Sequence, residues 1–177
     1  MTERVKNCTR SVKETNKVAR GIHTTKKRHI EPDPVYNNLL LAKFINRLMV
    51  DGKKTVAQGV VYDALEFMKE KGDENPLVSF ERAIDAVAPK VEVKARRIGG
   101  AAYQVPTEVR GPRRISLAIR WILEAARKRP TAEYKKFSQK LAAEIMDVNK
   151  NTGEAIRKRD VAHKMAEANK AFSHFRF

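Results

Sequence analysis

The chain has 177 residues, a formal net charge of +16 and 42% hydrophobic residues, which suits one compact domain plus an appendage and excludes a wholly disordered chain. No stretch approaches the roughly 20 apolar residues that a membrane helix needs. The single cysteine, Cys8, excludes an internal disulfide framework or a multi-cysteine zinc site and fits a reducing compartment, while a pI near 10.1 points to a polyanionic partner.

Residues 1–30 show no helical stripe, no strand alternation and no apolar signal core. They are expected to form a basic, flexible N-terminal extension. A helical domain is expected over 31–177. Asp33-Pro34 predicts the first helix start, with a cap followed by a proline that has no N–H to leave unpaired. Leu41, Phe44, Ile45 and Leu48 make its apolar face, Lys43, Asn46 and Arg47 lie off it, and Gly52 stops it. A second helix is expected from Lys54 to Lys71, with Val56, Val60, Ala64, Phe67 and Met68 inward. A third starts at Asn75-Pro76, carries Leu77, Phe80, Ile84 and Val87, and closes at Pro89.

The period then changes from helical to two. Val91, Val93 and Ala95 alternate with Glu92, Lys94 and Arg96, and Gly99-Gly100 suits a tight reversal. Tyr103, Val105 and Pro106 return, and Pro106 predicts a free edge or a bulge. This predicts a protruding β-hairpin arm at about 90–110, rooted in the helical body. Gly111-Pro112 restarts helix, with Ile115, Ala118, Ile119, Ile122 and Ala126 inward and Arg113, Arg120 and Arg127 on the opposite side. A fifth helix is expected from Thr131, burying Tyr134, Phe137, Leu141, Ile145 and Val148. A sixth is expected from Glu154 to Phe172, with Ile156, Met165 and Phe172 inward and Arg157, Lys158, Arg159 and Lys164 outward. The fold class is mainly α: a six-helix, bundle-like domain with one arm between the third and fourth helices.

No catalytic constellation emerges. Asp51-Gly52-Lys53-Lys54-Thr55 looks like part of a phosphate loop, but Arg47 stands where the earlier glycine belongs, and the segment joins helix to helix. His23, His29, His163 and His174 lack metal-ligand spacing, so no metal or cofactor is expected, and His163 suits a surface or phosphate contact. Cys8 has no histidine partner in view. Trp121 sits among core positions and suits packing better than base stacking. Glu66, Glu70, Asp73, Glu74 and Glu81 fit a solvated helix surface.

The charge is uneven. Residues 31–89 are net −3, whereas 90–129 hold eleven basic and three acidic residues. A scaffold segment thus adjoins segments suited to polyanion. The arginines occupy a hairpin, helix ends and a tail, a footprint that fits folded RNA better than a regular DNA groove. A basic helical protein that coats or bends DNA is the alternative.

Which RNA is indicated by a resemblance. Asn38 to Ala64 (NLLLAKFINRLMVDGKKTVAQGVVYDA), the arm VEVKARRIGGAAYQVPTEVR and the near-terminal MAEANKAFSHFRF resemble the bacterial-type family of small-subunit ribosomal protein seven. The match covers about residues 27–177. The segment 131–150 is only loosely similar, Ser173 to Phe177 differ in detail from the usual aromatic ending, and the leader 1–25 is longer than usual. The resemblance implies a non-enzymatic role in the ribosome, cytoplasmic or organellar. It implies direct binding to the 3′ major domain of small-subunit rRNA, nucleation of the subunit head, and contacts to tRNA and mRNA near the exit site. It also implies small-subunit proteins nine, eleven, thirteen and nineteen as neighbours. On this reading Lys26, Lys27, Arg28, Lys53, Lys54, Lys94, Arg110, Arg113, Arg114 and Arg120 bind rRNA. Arg96, Arg97, Gly99, Gly100 and Tyr103 reach toward tRNA and mRNA. Arg157, Lys158, Arg159, Lys164 and Arg176 supply C-terminal RNA contacts.

Overall fold

A computed structural model describes residues 30–175. It contains six α-helices, α1 Leu39–Leu48, α2 Lys54–Glu70, α3 Pro76–Val87, α4 Gly111–Lys128, α5 Phe137–Asn149 and α6 Glu154–Ala168. The strands β1 Val91–Ile98 and β2 Ala101–Glu108 form an antiparallel hairpin between α3 and α4, and a 3-10 helix spans Lys170–Phe175. The mainly-α class and the position of the hairpin are as the sequence predicts.

The core surrounds α5, which packs on α2, α3, α4 and α6. Its Leu141, Ala142, Ile145 and Val148 are buried together with Phe44, Phe80 and Ile122. The rings of Phe44 and Phe80 meet edge-on, 5.1 Å between centroids and 89° apart, a favoured aromatic geometry.

The first helix starts later than Asp33-Pro34 predicts. Asn38 caps it, its Oδ1 accepting from the Leu40 and Leu41 amides at 2.8 and 3.2 Å. Asp33 instead accepts from the amides of Val35 and Tyr36 in a separate turn, and from the Tyr62 hydroxyl at 2.8 Å. Burial and this carboxylate push the Tyr62 phenol up to about 12. The inward face of α2 is also rotated. Ala57, Val61, Ala64, Leu65 and Met68 are buried, whereas Val56 is 62% exposed. The run offers two apolar faces, and the one rich in alanine allows close approach of the neighbouring helix.

Two further boundaries move. The fifth helix begins at Phe137, six residues after Thr131, because Lys140 Nζ donates to the Arg129 carbonyl and Thr131 Oγ1, both at 2.9 Å. That clamp holds the preceding segment as a connector. Tyr134 there lies beneath the Arg129 guanidinium, 5.8 Å from the ring centroid, instead of in the core. The sixth helix ends at Ala168, and Phe172 belongs to the 3-10 helix. Met165, expected inward, is 51% exposed. Arg159, expected outward, donates from Nη1 to the Ala86 carbonyl at 2.7 Å and ties α6 to α3.

Glu144 is the buried charge of α5, only 1% exposed. Its Oε2 accepts from Arg129 Nε at 2.8 Å, and its Oε1 accepts from the Ala155 amide at the start of α6 at 3.2 Å. Arg129 Nη2 also pairs with Asp147. Gly153, with φ +101°, passes so close that a Cβ would stand 3.0 Å from Glu144 Oε1. Glu144→Ala should therefore lower unfolding free energy by about 3 kcal/mol, because it leaves the half-buried guanidinium with Asp147 alone and the Ala155 amide without its acceptor. Urea denaturation should show a lower midpoint at unchanged slope.

Candidate nucleic-acid interface

The hairpin positions the first group of cations. Gly99 and Gly100 adopt φ +58° and +91°, the left-handed pair that a two-residue hairpin turn requires. The register is one-to-one, pairing Arg96 with Tyr103, Arg97 with Ala102 and Val93 with Pro106. Pro106 therefore needs no bulge; it lies on an edge, as half of the sequence-based expectation stated. Residues 94–97 and 99–102 are exposed, so the distal half of the arm stands in solvent, with the side chain of residue 98 outside the description.

The root of the arm is braced on both sides. Val105 is buried, and β2 touches α6 and the 3-10 helix. Tyr103 packs against Phe172 at 5.4 Å, so its ring already has an aromatic neighbour within the chain. His163, expected as a surface or phosphate-contacting group, accepts at Nε2 from the Lys90 amide at 3.1 Å in an exposed hydrogen bond, which makes it a brace of the hairpin root. Glu92 accepts from Arg113 Nε at 2.8 Å and pairs with Lys94 Nζ at 3.3 Å. Partial burial raises the Glu92 pKa, but hydrogen bonds from Arg113 and Lys94 outweigh it and hold the carboxyl below its ordinary value. Arg113 thus joins α4 to the arm while Lys94 pairs with Glu92 within β1, and both keep exposed side chains.

A second group gathers at the start of α4. Arg110 is its N-cap residue without a side-chain cap bond, and no acidic residue lies in the first turn. Cations there oppose the positive end of the helix dipole. Arg113 is offset by Glu92; Arg110 and Arg114 have no carboxylate within 4 Å among the described residues. Arg114 Nε is buried without a hydrogen-bond partner. Both line an open cleft with Thr107, Glu108, Val109 and Gly111. An anion at this place would satisfy the guanidinium and the helix end together.

Arg113, Arg120 and Arg127 are all exposed along α4, as the seven-residue spacing predicts. Across a groove from this helix, α1 presents Lys43, Asn46 and Arg47 beside Pro112, Ile115 and Ser116. These α1 residues are absent from the sequence-based site. Their i, i+3, i+4 spacing opposite the apolar stripe was the available signal, but which element faces them is a tertiary fact. Lys53 and Lys54 are exposed at the α1–α2 turn, where Asp51 and Gly52 take φ +53° and +73°.

The C-terminal cations are more committed. Arg157 makes an exposed 3.4 Å pair with Glu154, Lys158 pairs with Glu124, and Arg159 is held by Asp160 and Ala86. The hydrogen bond from Lys158 lowers the Glu124 pKa. Lys164 is exposed with no carboxylate within 4 Å among the described residues. Lys26, Lys27, Arg28 and Arg176 lie outside the described residues. Trp121 packs partly against the core, as expected. Glu81, expected as solvated surface, accepts from Asn38 Nδ2 at 2.5 Å and pins the start of α1 to α3. Among the described residues, no group of three or more His, Cys, Asp or Glu is placed to hold a metal ion.

The family model described as ribosomal protein S7p/S5e matches residues 19–170. The chain belongs to this family. Among S7p/S5e relatives, small ribosomal subunit protein uS7 of Clostridium novyi is 56% identical over 153 residues, covering 86% of this chain and 96% of that protein. The uS7 protein of Thermotoga neapolitana is 54% identical over 151 residues, covering 85% and 96%. That of Teredinibacter turnerae is 53% identical over 151 residues, covering 85% and 95%. An S7p/S5e chain has reason to display cations without internal partners.

Arg110→Ala with Arg114→Ala should weaken binding to folded RNA and flatten the dependence of log affinity on log salt by roughly 1 to 2. The same change removes cations from the wrong end of a helix dipole, so the melting temperature should hold or rise slightly. Filter binding across a salt series, beside calorimetry, checks both. On acidification, the contact between Glu92 and Arg113 should persist through the ordinary carboxylate range, while its contribution to stability, full above the unfolded-state value, is lost progressively as the pH falls from there through the depressed folded value, which urea midpoints across a pH series check.

Proposed function

We propose that this protein is a structural component of the small ribosomal subunit that binds the 3′ major domain of its rRNA directly and nucleates assembly of the subunit head. The observation that carries this reading is a set of cations with no carboxylate within 4 Å among the described residues, exposed at Arg97 on the arm, Arg110 at the start of α4 and Arg120 along it and half-buried at Arg114, in a chain of the S7p/S5e family. The mechanism is neutralisation and shape matching; no bond is made or broken. Lys53 and Lys54 add backbone contacts at the α1–α2 turn, and the extension 1–30, with Lys26, Lys27 and Arg28, follows the phosphates outward. Lys94 and Arg113 present phosphate-facing N–H groups from the arm root while staying bonded to Glu92.

The arm, with Arg96, Arg97, Gly99, Gly100 and Tyr103, reaches toward tRNA and mRNA near the exit site. Arg157, Lys158, Arg159, Lys164 and Arg176 supply further RNA contacts. Small-subunit proteins nine, eleven, thirteen and nineteen are neighbours in the assembled particle, and the place of action is the ribosome. The names of the uS7 relatives support the subunit, and the S7p/S5e family supports a structural role over an enzymatic one.

Comigration of the tagged full chain with small subunits after a high-salt wash is the expected result of ribosome sedimentation. Filter binding should favour a 3′ major domain fragment over duplex DNA at equal salt. Equal affinity for both at about 0.2 M salt would favour the DNA-coating alternative, because indifference to sequence and shape marks non-specific binding. Arg96→Ala with Arg97→Ala should weaken RNA binding and leave the melting transition intact, since both side chains lie on the solvated half of the arm.

A further inference from the structure

Between α4 and α6 lies a cleft of about 430 Å³ that Arg157 and Lys158 border and whose apolar lining the phosphate contacts described above leave unused. Trp121 from α4 and Val161 and Met165 from α6 line it. Val161 is 43% exposed and Met165 51% exposed, four residues apart on one helix face. Exposed apolar side chains at such spacing, facing a half-buried indole, make an apolar wall that the core does not use.

The mouth of this cleft is cationic. Lys128 has no carboxylate within 4 Å among the described residues, and Arg157 has only its solvent-exposed 3.4 Å pair with Glu154, a weak and readily exchanged contact. Lys158 is committed to Glu124 and shapes the wall. Arg120 and Arg127 precede Trp121 and Lys128 by one residue each on α4. A phosphate chain running along the exposed Arg120–Arg127 stripe therefore passes the cleft mouth within one residue's turn of the helix. What meets it there is an aromatic and thioether surface flanked by two cations. That order, cation then flat apolar wall then cation, is the complement of a nucleotide, and every nucleobase has a π-face that an indole accepts.

We infer that the α4–α6 cleft is a subsite for one unpaired nucleobase, which packs against Trp121, Val161 and Met165 while its flanking phosphates engage Lys128 and Arg157. The inference rests on the RNA-binding reading and adds a base contact to what is otherwise phosphate recognition. An acidic protein segment is the competing occupant. The stripe of arginines leading to the cleft favours the polyanion with regularly spaced charges.

Trp121 is the single tryptophan of the chain, so its emission reports the cleft directly. The full chain is titrated with single-stranded oligoadenylate of six nucleotides, with a sugar-phosphate chain of equal length lacking bases, and with an acidic peptide of equal charge. Oligoadenylate should quench the emission saturably, and the abasic chain should bind without quenching. Val161→Ala with Met165→Ala should raise the quenching midpoint by about tenfold. Both side chains are exposed, so no core cavity opens, and circular dichroism checks the fold. Val78→Ala, a truncation of an exposed residue on α3, should leave the midpoint unchanged. Equal quenching by the abasic chain, an unchanged midpoint in the double variant, or stronger quenching by the peptide overturns the base subsite while rRNA binding and sedimentation stand. Failure of both nucleic-acid chains to bind also overturns the subsite, whereas the RNA reading itself falls only if the 3′ major domain fragment fails to bind in the filter assay.

Discussion

One buried carboxylate governs how the helices meet. Glu144 lies inside the bundle on α5, and it receives Arg129 from just beyond the end of α4 and the Ala155 amide from the start of α6. A buried ion pair of this kind adds little net stability over an apolar replacement, yet it tolerates few alternative arrangements, because each misplaced partner leaves a charge without water. Its contribution is therefore geometric. It sets where α4 stops, how α5 lies against α2 and α3, and in which direction α6 departs. Gly153 is the backbone condition for that departure.

The direction of α6 then decides what the hairpin does. A two-stranded hairpin is marginal in water by itself. Here α6 brings His163 to the Lys90 amide, and the 3-10 helix beyond it brings Phe172 to Tyr103. Arg159 ties the same helix to the end of α3, immediately before β1. The arm is consequently held at its root and solvated at its tip. A ligand that docked on the tip would meet a preformed finger and spend little free energy on ordering it.

Cations fall into two groups with different physical roles. Lys94, Arg113, Arg129, Lys158 and Arg159 are tied to carboxylates, and all but Lys94, whose Glu92 lies on its own strand, also join elements of the frame. Lys53, Lys54, Arg97, Arg110, Arg114, Arg120 and Lys164 have no carboxylate within 4 Å among the described residues, and those at the start of α4 also oppose its dipole. Such charges raise the energy of the isolated protein and lower that of a complex with phosphates. A uniform count of Lys and Arg along the chain does not separate the groups. Glu92, an unremarkable acid in a strand pattern, makes the division at the arm root, and Glu144 makes it in the core.

Hydrophobic periodicity and helix punctuation in the sequence alone determined the six helices, the hairpin between the third and fourth, its glycine turn and the arginine stripe of α4, because these depend on spacing along one element. Folding in three dimensions settled the rest. The α2 run Val56–Met68 is apolar on two faces, and only contact with its neighbours selects the alanine-rich one. Thr131 to Lys136 has helical composition, yet Lys140 fastens its beginning to Arg129 and delays α5 to Phe137. Met165 has core chemistry and stands exposed because α6 turns its Ala155, Ile156 and Ala166 inward instead. Whether a given arginine holds the frame or waits for phosphate depends on which carboxylate lies across space from it, and chain order carries no record of that distance.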